Sequence, residues 1–254
     1  MRVSALAARA GPRSPGGIGR RLGARALIAF FLASAVASPG QAAVGAVASV
    51  FSDDRFRGIS LSDGQPVAIL DLSYDAPNGL YAAVSGSVVV TRDEGLKALG
   101  FVLNGGYAKR FSTGLTADVG IVHSRYSHYS GLSSGRNYSE VYAGLSGKLI
   151  GARVSISPNY LGGVRWMLHG EVNGHVDLTP KLLLDGTIGL LVPLQRGDYN
   201  SETRAQMDAR IGLAQRIGPI TFHAAFTTRT GHSEIYSGRG HRRTALVVGI
   251  SSAL

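Results

Sequence analysis

The sequence predicts an all-β protein, a transmembrane antiparallel up-and-down β-barrel of about 12 strands. Three observations predict it: an export leader, period-two alternation over the rest of the chain, and connections that alternate long and short. None of the three is sufficient alone. Alternation also fits a soluble sandwich whose apolar face is its interior.

The leader comes first. Residues 1–42 carry Arg2, Arg9, Arg13, Arg20, Arg21 and Arg25 and no acidic residue. The uncharged run Ala26–Ala37 follows, then Pro39-Gly40 and the small residues before Val44. That run is 12 residues long, short of the roughly 20 that a spanning helix requires. The pattern is that of a secretory signal peptide with cleavage after Ala42, and 43–254 is then one barrel domain. The formal charge of +10 is largely the leader's, since 43–254 has 20 basic against 16 acidic residues, a net +4. Nucleic-acid binding is therefore not indicated. No cysteine is present, which excludes a disulfide framework and Cys-ligated metals. Neither a cofactor nor a metal is expected, because the seven histidines are scattered without ligand spacing.

Past residue 43 no uncharged apolar stretch is long enough for a spanning helix, so a membrane protein of this sequence has to be a closed barrel. The alternation marks strands at 44–57, 67–74, 80–90, 96–109, 115–123, 138–147, 152–157, 165–177, 182–194, 205–215, 221–228 and 244–254. Residues 164–178 illustrate it: Val164, Trp166, Leu168, Val172, Val176 and Leu178 face one way, and Arg165, His169, Glu171, Asn173, His175 and Asp177 the other. A helix would scatter these residues over all its sides. The connections 58–66, 91–95, 124–137, 158–164, 195–204 and 229–243 are mostly longer than 75–79, 110–114, 148–151, 178–181 and 216–220. Outer-membrane barrels have this asymmetry, with tight periplasmic turns and longer outer loops. The polar face carries Asp53, Arg55, Arg57, Asp71, Asp118, Glu140, Lys148, Arg153, Arg165, Glu171, Asp185, Asp208, Arg210 and Arg229, whereas the other face is nearly free of charge.

The stretch Ser52-Asp53-Asp54-Arg55-Phe56-Arg57-Gly58-Ile59-Ser60 resembles the opening of the TorF-like porin family of proteobacteria. Asn78-Gly79-Leu80-Tyr81-Ala82 and Asn137-Tyr138-Ser139-Glu140-Val141-Tyr142 are similar to its later hairpin and Tyr-x-Glu-x-Tyr strand. Asp54, Ser85 and the terminal Leu254 depart from the pattern, standing where an aromatic, Trp and Phe are usual. The resemblance implies an outer-membrane barrel and a porin-like activity.

These readings converge on passive diffusion of small polar solutes or ions. Asp53, Arg55, Arg57, Glu140, Arg165, Asp208 and Arg210 are the expected pore-lining residues. Its arginines would favour anions. Outer-membrane lipid, lipopolysaccharide and the solutes are the expected partners, with Arg239, Arg242 and Arg243 as a basic cluster on an outer loop. The alternatives are a plugged barrel with a structural or surface-interaction role, an outer-membrane hydrolase and a soluble sandwich. A His-x-Ser pair on a strand would put both side chains on one face. His128-Tyr129-Ser130, however, falls in the connection 124–137, where it reads as a polar loop tip, and the sequence supplies no third catalytic group or oxyanion site. No enzyme is expected.

Overall fold

A computed structural model describes residues 42–91, 93–132, 137–162, 166–194, 205–230 and 243–254. The expected leader lies outside these, apart from Ala42. The chain opens with β1 (Ala43–Phe51), followed by the two-residue strands β2 (Arg55–Phe56) and β3 (Ile59–Ser60). Then come β4 (Val67–Asp75), β5 (Leu80–Thr91), β6 (Gly95–Arg110), β7 (Thr116–Tyr126), β8 (Asn137–Ser146) and β9 (Ile150–Ser157). The second half is β10 (Met167–Thr179), β11 (Leu182–Pro193), β12 (Gln206–Ile217), β13 (Ile220–Arg229) and β14 (Thr244–Ala253). Twelve of these strands form one closed antiparallel barrel, each paired with its neighbour in sequence, while β2 and β3 pair only with each other.

The ladder closes where β1 meets β14, from Val47 opposite Ala253 to Phe51 opposite Gly249. Gly249 is required there, because a Cβ at that position would overlap the Phe51 ring. On the short side the turns fall at 76–79, 111–115, 147–149, 180–181 and 218–219. Gly79 takes φ 93 in the first of them, a region that only glycine enters at low cost. Longer connections gather at the opposite end, except that only residues 92–94 separate β5 from β6. Lys148, expected on the polar face, is instead exposed in the β8–β9 turn.

The faces divide as the alternation requires. Val119, Ile121, Val141, Val154, Val172, Ile188, Ile211 and Leu246 are each more than half exposed on the outside, whereas Asp71, Asp118, Glu140, Asp185, Thr187 and His223 are buried inside. A soluble sandwich buries its apolar face, so this inside-out distribution excludes one. The outward band is suited to hydrocarbon, and the closed ladder leaves no strand edge unpaired within it. Ile211→Arg, near the middle of β12, is expected to destabilise the folded barrel in bilayers by about 2–4 kcal/mol. Ile211→Val should change little. Equilibrium unfolding by urea, followed by the gel mobility shift of folded barrels, measures both.

Candidate functional site: the lumen and its inward hairpin

The first strand does not run to residue 57 as the alternation predicts. It ends at Phe51, where the Ser52 hydroxyl caps the ladder by accepting the Val248 backbone N–H at 3.1 Å. Residues 52–66 then turn into the barrel, so Asp53, Arg55 and Arg57 belong to an inward hairpin and not to the wall. The tip is a two-residue turn between Phe56 and Ile59, with Arg57 at φ 49 and Gly58 at φ 73. Positive φ at both central residues is the geometry of a tight I′ hairpin. A second such turn follows at Asp63 (φ 54) and Gly64 (φ 70), closed by the Gln65 N–H donating to the Ser62 carbonyl at 3.0 Å. Asp63-Gly64 is the legible signal; Arg57-Gly58 is hidden, because side chains of a hairpin alternate as a strand's do.

Asp53 holds the hairpin's shape. One carboxylate oxygen accepts from the Ser60 and Ser62 hydroxyls at 2.5 and 3.0 Å, the other from Arg55 Nε at 2.7 Å. Arg55 donates onward to the Gly58 carbonyl at 3.0 Å. This ion pair is thus internal to the hairpin. Arg57 instead reaches the far wall, donating to both oxygens of Glu140 on β8 at 2.7 and 3.0 Å and to Ser155 on β9 at 3.1 Å. In the ring of strands β9 lies six steps from β1, so the hairpin crosses the lumen. The Arg57 guanidinium also lies 4.6 Å from the Phe56 ring centroid and 5.3 Å from that of Tyr160. Burial pushes the Tyr160 phenol up to about 12, against the opposing effect of Arg57.

Around this bond the long-connection end of the lumen is packed. Ile59 and Leu61 of the hairpin meet Leu132, Tyr160 and Leu161 of the long connections and Tyr126, Tyr138, Met167 and Leu191 of the wall. The Leu61 carbonyl accepts the Gly131 N–H at 2.8 Å.

Deeper in, polar rows line the wall. Asp75, Tyr81, Gly106, Gly120, Tyr142, Ser155 and His169 occupy one row of register partners across β4 to β10. The central glycines seat the tyrosines: a Cβ on Gly106 or Gly120 would come within 2.5 Å of the Tyr81 or Tyr142 hydroxyl. The rings lie along the wall with their hydroxyls bonded to each other, to Asp118 and to Asn104. The next row places Asp118, Gly144, Arg153, Glu171, Gly189, Asp208 and Arg229 side by side, acidic and basic groups spaced by glycines. Asp208 lies 3.5 Å from His169, and Arg210 pairs with Asp185 across β11 and β12.

Glu140, Asp208 and Arg210 are therefore on the inner wall as expected, and Asp53, Arg55 and Arg57 are inside it on the hairpin. Arg165, Arg239 and Arg242 lie outside the described residues. Arg243 is exposed immediately before β14, its carbonyl accepting the Arg229 N–H at 3.0 Å. Among the described residues no group of three or more His, Asp or Glu side chains is placed to hold a metal ion. Ser130 donates to the Ser127 carbonyl at 2.7 Å, and the His128 ring stacks beside Tyr129 at 4.0 Å between centroids.

A family model for a bacterial protein of unknown function (Gcw_chp) matches residues 34–250. The chain belongs to this family. No curated protein matches the sequence. Among solved structures the NanC porin superposes with TM-score 0.54 at 12% identity, covering 84% of this chain and all of that one. The KdgM porin gives 0.50 at 10% identity, covering 84% of this chain and 99% of that one. Outer membrane phospholipase A from Escherichia coli also aligns, over 85% of this chain and 97% of that one at 15% identity, but its TM-score of 0.43 carries no argument. These likenesses establish the fold: a closed twelve-stranded barrel of the kind that porins use.

The Arg57–Glu140 contact is testable as a pair. Removing one partner of a buried ion pair strands the other charge at a cost of about 3–5 kcal/mol, whereas removing both costs less. Arg57→Gln and Glu140→Gln should each lower the urea midpoint of the folded barrel, and the double variant by less than the two added together. A double-mutant cycle on the unfolding free energies reads the coupling.

Proposed function

We propose that the chain is an outer-membrane channel of the TorF-like type, exported by way of residues 1–42, through which small polar solutes diffuse passively. One observation carries this reading: a charged inner wall is enclosed by an apolar outer band, and a single hairpin pinned by Arg57 to Glu140 narrows the passage. The porin-like architecture supports it, since twelve strands lie between the eight that side chains fill and the sixteen that leave a wide channel. Lipid of the outer membrane, lipopolysaccharide and the solutes themselves are its partners in this reading, and it involves no catalysis.

The selectivity differs from the sequence-based expectation of anion preference. Arg55, Arg57 and Arg210 are each neutralised at close range by Asp53, Glu140 and Asp185. Over the inward strand positions, Asp71, Asp75, Asp118, Glu140, Glu171, Asp177, Asp185 and Asp208 face Lys97, Arg110, Arg153, Arg210, Arg216 and Arg229. Asp53 and Asp54 of the hairpin are matched by Arg55 and Arg57. The excess is acidic, and charges in a narrow lumen are screened little by salt. Small cations are then favoured.

A second reading, the plugged barrel with a surface-interaction role, draws on the apolar packing of Ile59, Leu61, Leu132 and Leu161 at the outer end.

Conductance in planar bilayers separates the two. The wild-type protein is expected to conduct, with a reversal potential favouring potassium over chloride under a salt gradient. Glu171→Gln with Asp208→Asn should move that potential toward chloride. Arg57→Ser should raise the single-channel conductance by loosening the hairpin. A folded protein that conducts only after residues 53–65 are replaced by a short glycine-serine link is a plugged barrel, and the channel reading then fails.

A further inference from the structure

The outward face of the barrel gathers a charge and several polar groups into one patch at the end of β7. Outward strand positions among the described residues carry Val, Ile, Leu, Phe, Tyr, Met, Ala and Gly almost throughout, and none carries Asp or Glu. Two of them are formally charged: Lys109 near the short-turn end of β6 and Arg125 near the long-connection end of β7. Lys109 leans on the ring of Phe111 at 6.0 Å and stands opposite Ala117 of β7. Arg125 is different. It is exposed between the buried Ser124 and Tyr126, so its side chain points out of the barrel. No ion pair among the described residues involves it.

Its neighbours form a polar patch of two successive register pairs, Arg125 opposite Asn137 and His123 opposite Ser139. His123 Nδ1 and the Ser139 hydroxyl are 3.0 Å apart, and the Ser139 backbone N–H donates to Asn159 at 3.0 Å. The deeper pair thus satisfies its own polarity, leaving Arg125 and Asn137 as the groups with donors to spare. Phe101, opposite Arg125 on β6, covers the flank with its ring 6.3 Å from that of His123. An arginine facing hydrocarbon is costly at the midplane and nearly free at the interface. Arg125 is the next-to-last residue of its strand, which places it at headgroup depth on the side of the long connections. A cation without a carboxylate partner at that depth meets the phosphate of lipid, and guanidinium matches phosphate by paired hydrogen bonds.

We propose that Arg125, with Asn137 beside it and His123–Ser139 beneath, is a binding site for the phosphate of an outer-leaflet lipid on the outside of the barrel wall. The site rests on the membrane reading above, and it is distinct from the basic loop around Arg243. The lipid is held by its phosphate at Arg125 and Asn137, while its acyl chain runs down past Val141 and Ile121, which are more than half exposed below the patch. Such a lipid is an annular component of fixed position, confined to one sector of the barrel.

The test uses the full-length protein folded into phosphatidylcholine vesicles with increasing proportions of lipid A, read by the temperature at which the folded gel band is lost. Lipid A is expected to raise this temperature saturably. Arg125→Leu, an apolar replacement that the lipid face tolerates, should weaken the apparent lipid A affinity about tenfold, the value of a charge-assisted hydrogen bond. Asn137→Leu should weaken it less, and Lys109→Leu not at all. Equal responses of the wild type and Arg125→Leu would overturn the site, as would a full response to inorganic phosphate in place of lipid A, which makes the ligand a free anion. A wild-type protein that folds in detergent but never inserts into vesicles defeats the membrane reading instead.

Discussion

Every other feature of this protein depends on the ladder being closed. Backbone N–H and carbonyl groups in hydrocarbon have no water to turn to, so a sheet placed there must have no edge. The seam between β1 and β14 removes the last one, and it does so by setting an aromatic ring against a residue without a side chain, Phe51 against Gly249. Once the ring of strands is complete, the period-two geometry of each strand sorts the residues: whatever alternates with the lipid-facing set is enclosed. The inner surface is polar because the outer one is not.

Enclosure then raises a packing problem that the rows of register partners resolve. Twelve strands leave a space too wide for the wall's side chains to close unaided and too narrow to leave large rings projecting freely. Glycines placed beside tyrosines in a row, Gly106 and Gly120 between Tyr81 and Tyr142, let the rings fold back on the wall. Gly189 does the same for polar groups, where a Cβ would press on Asp208 and His169. The frequency of glycine in this chain reflects these seats as much as its turns.

Much of this was legible in the sequence. Strand order, the inward identity of Glu140, Asp208 and Arg210 and the gathering of long connections at one end follow from alternation and turn residues, because both are local properties. The inward hairpin was not legible, for a physical reason. Asp53, Arg55 and Arg57 continue the alternation of β1 without a break, and nothing local to Ser52 says that the chain leaves the wall. Its departure is decided by distant partners, the seam residue Val248 and the Glu140 and Ser155 that receive Arg57. The polar patch at Arg125 was missed for the opposite reason: an arginine at a strand end looks like an ordinary boundary until the register shows Asn137 and Ser139 beside it on the same outer face.

The length of chain between the partners of the hairpin has a consequence for assembly. Arg57 is separated by 83 residues from Glu140 and by 98 from Ser155, whereas wall strands pair with their neighbours in sequence everywhere except at the β1–β14 seam. Local pairings close cheaply and early, and contacts across long separations pay their loop entropy last. The hairpin's own bonds, from Asp53 to Arg55, Ser60 and Ser62, are all short-range, so it can take shape before it has anywhere to dock. Nascent barrels of this kind therefore pass through a stage in which the wall is still incomplete and a preformed crossbar waits beside its first strand. The crossbar docks once β8 and β9 are in place, and the seam between β1 and β14, whose partners lie farther apart still, completes the barrel.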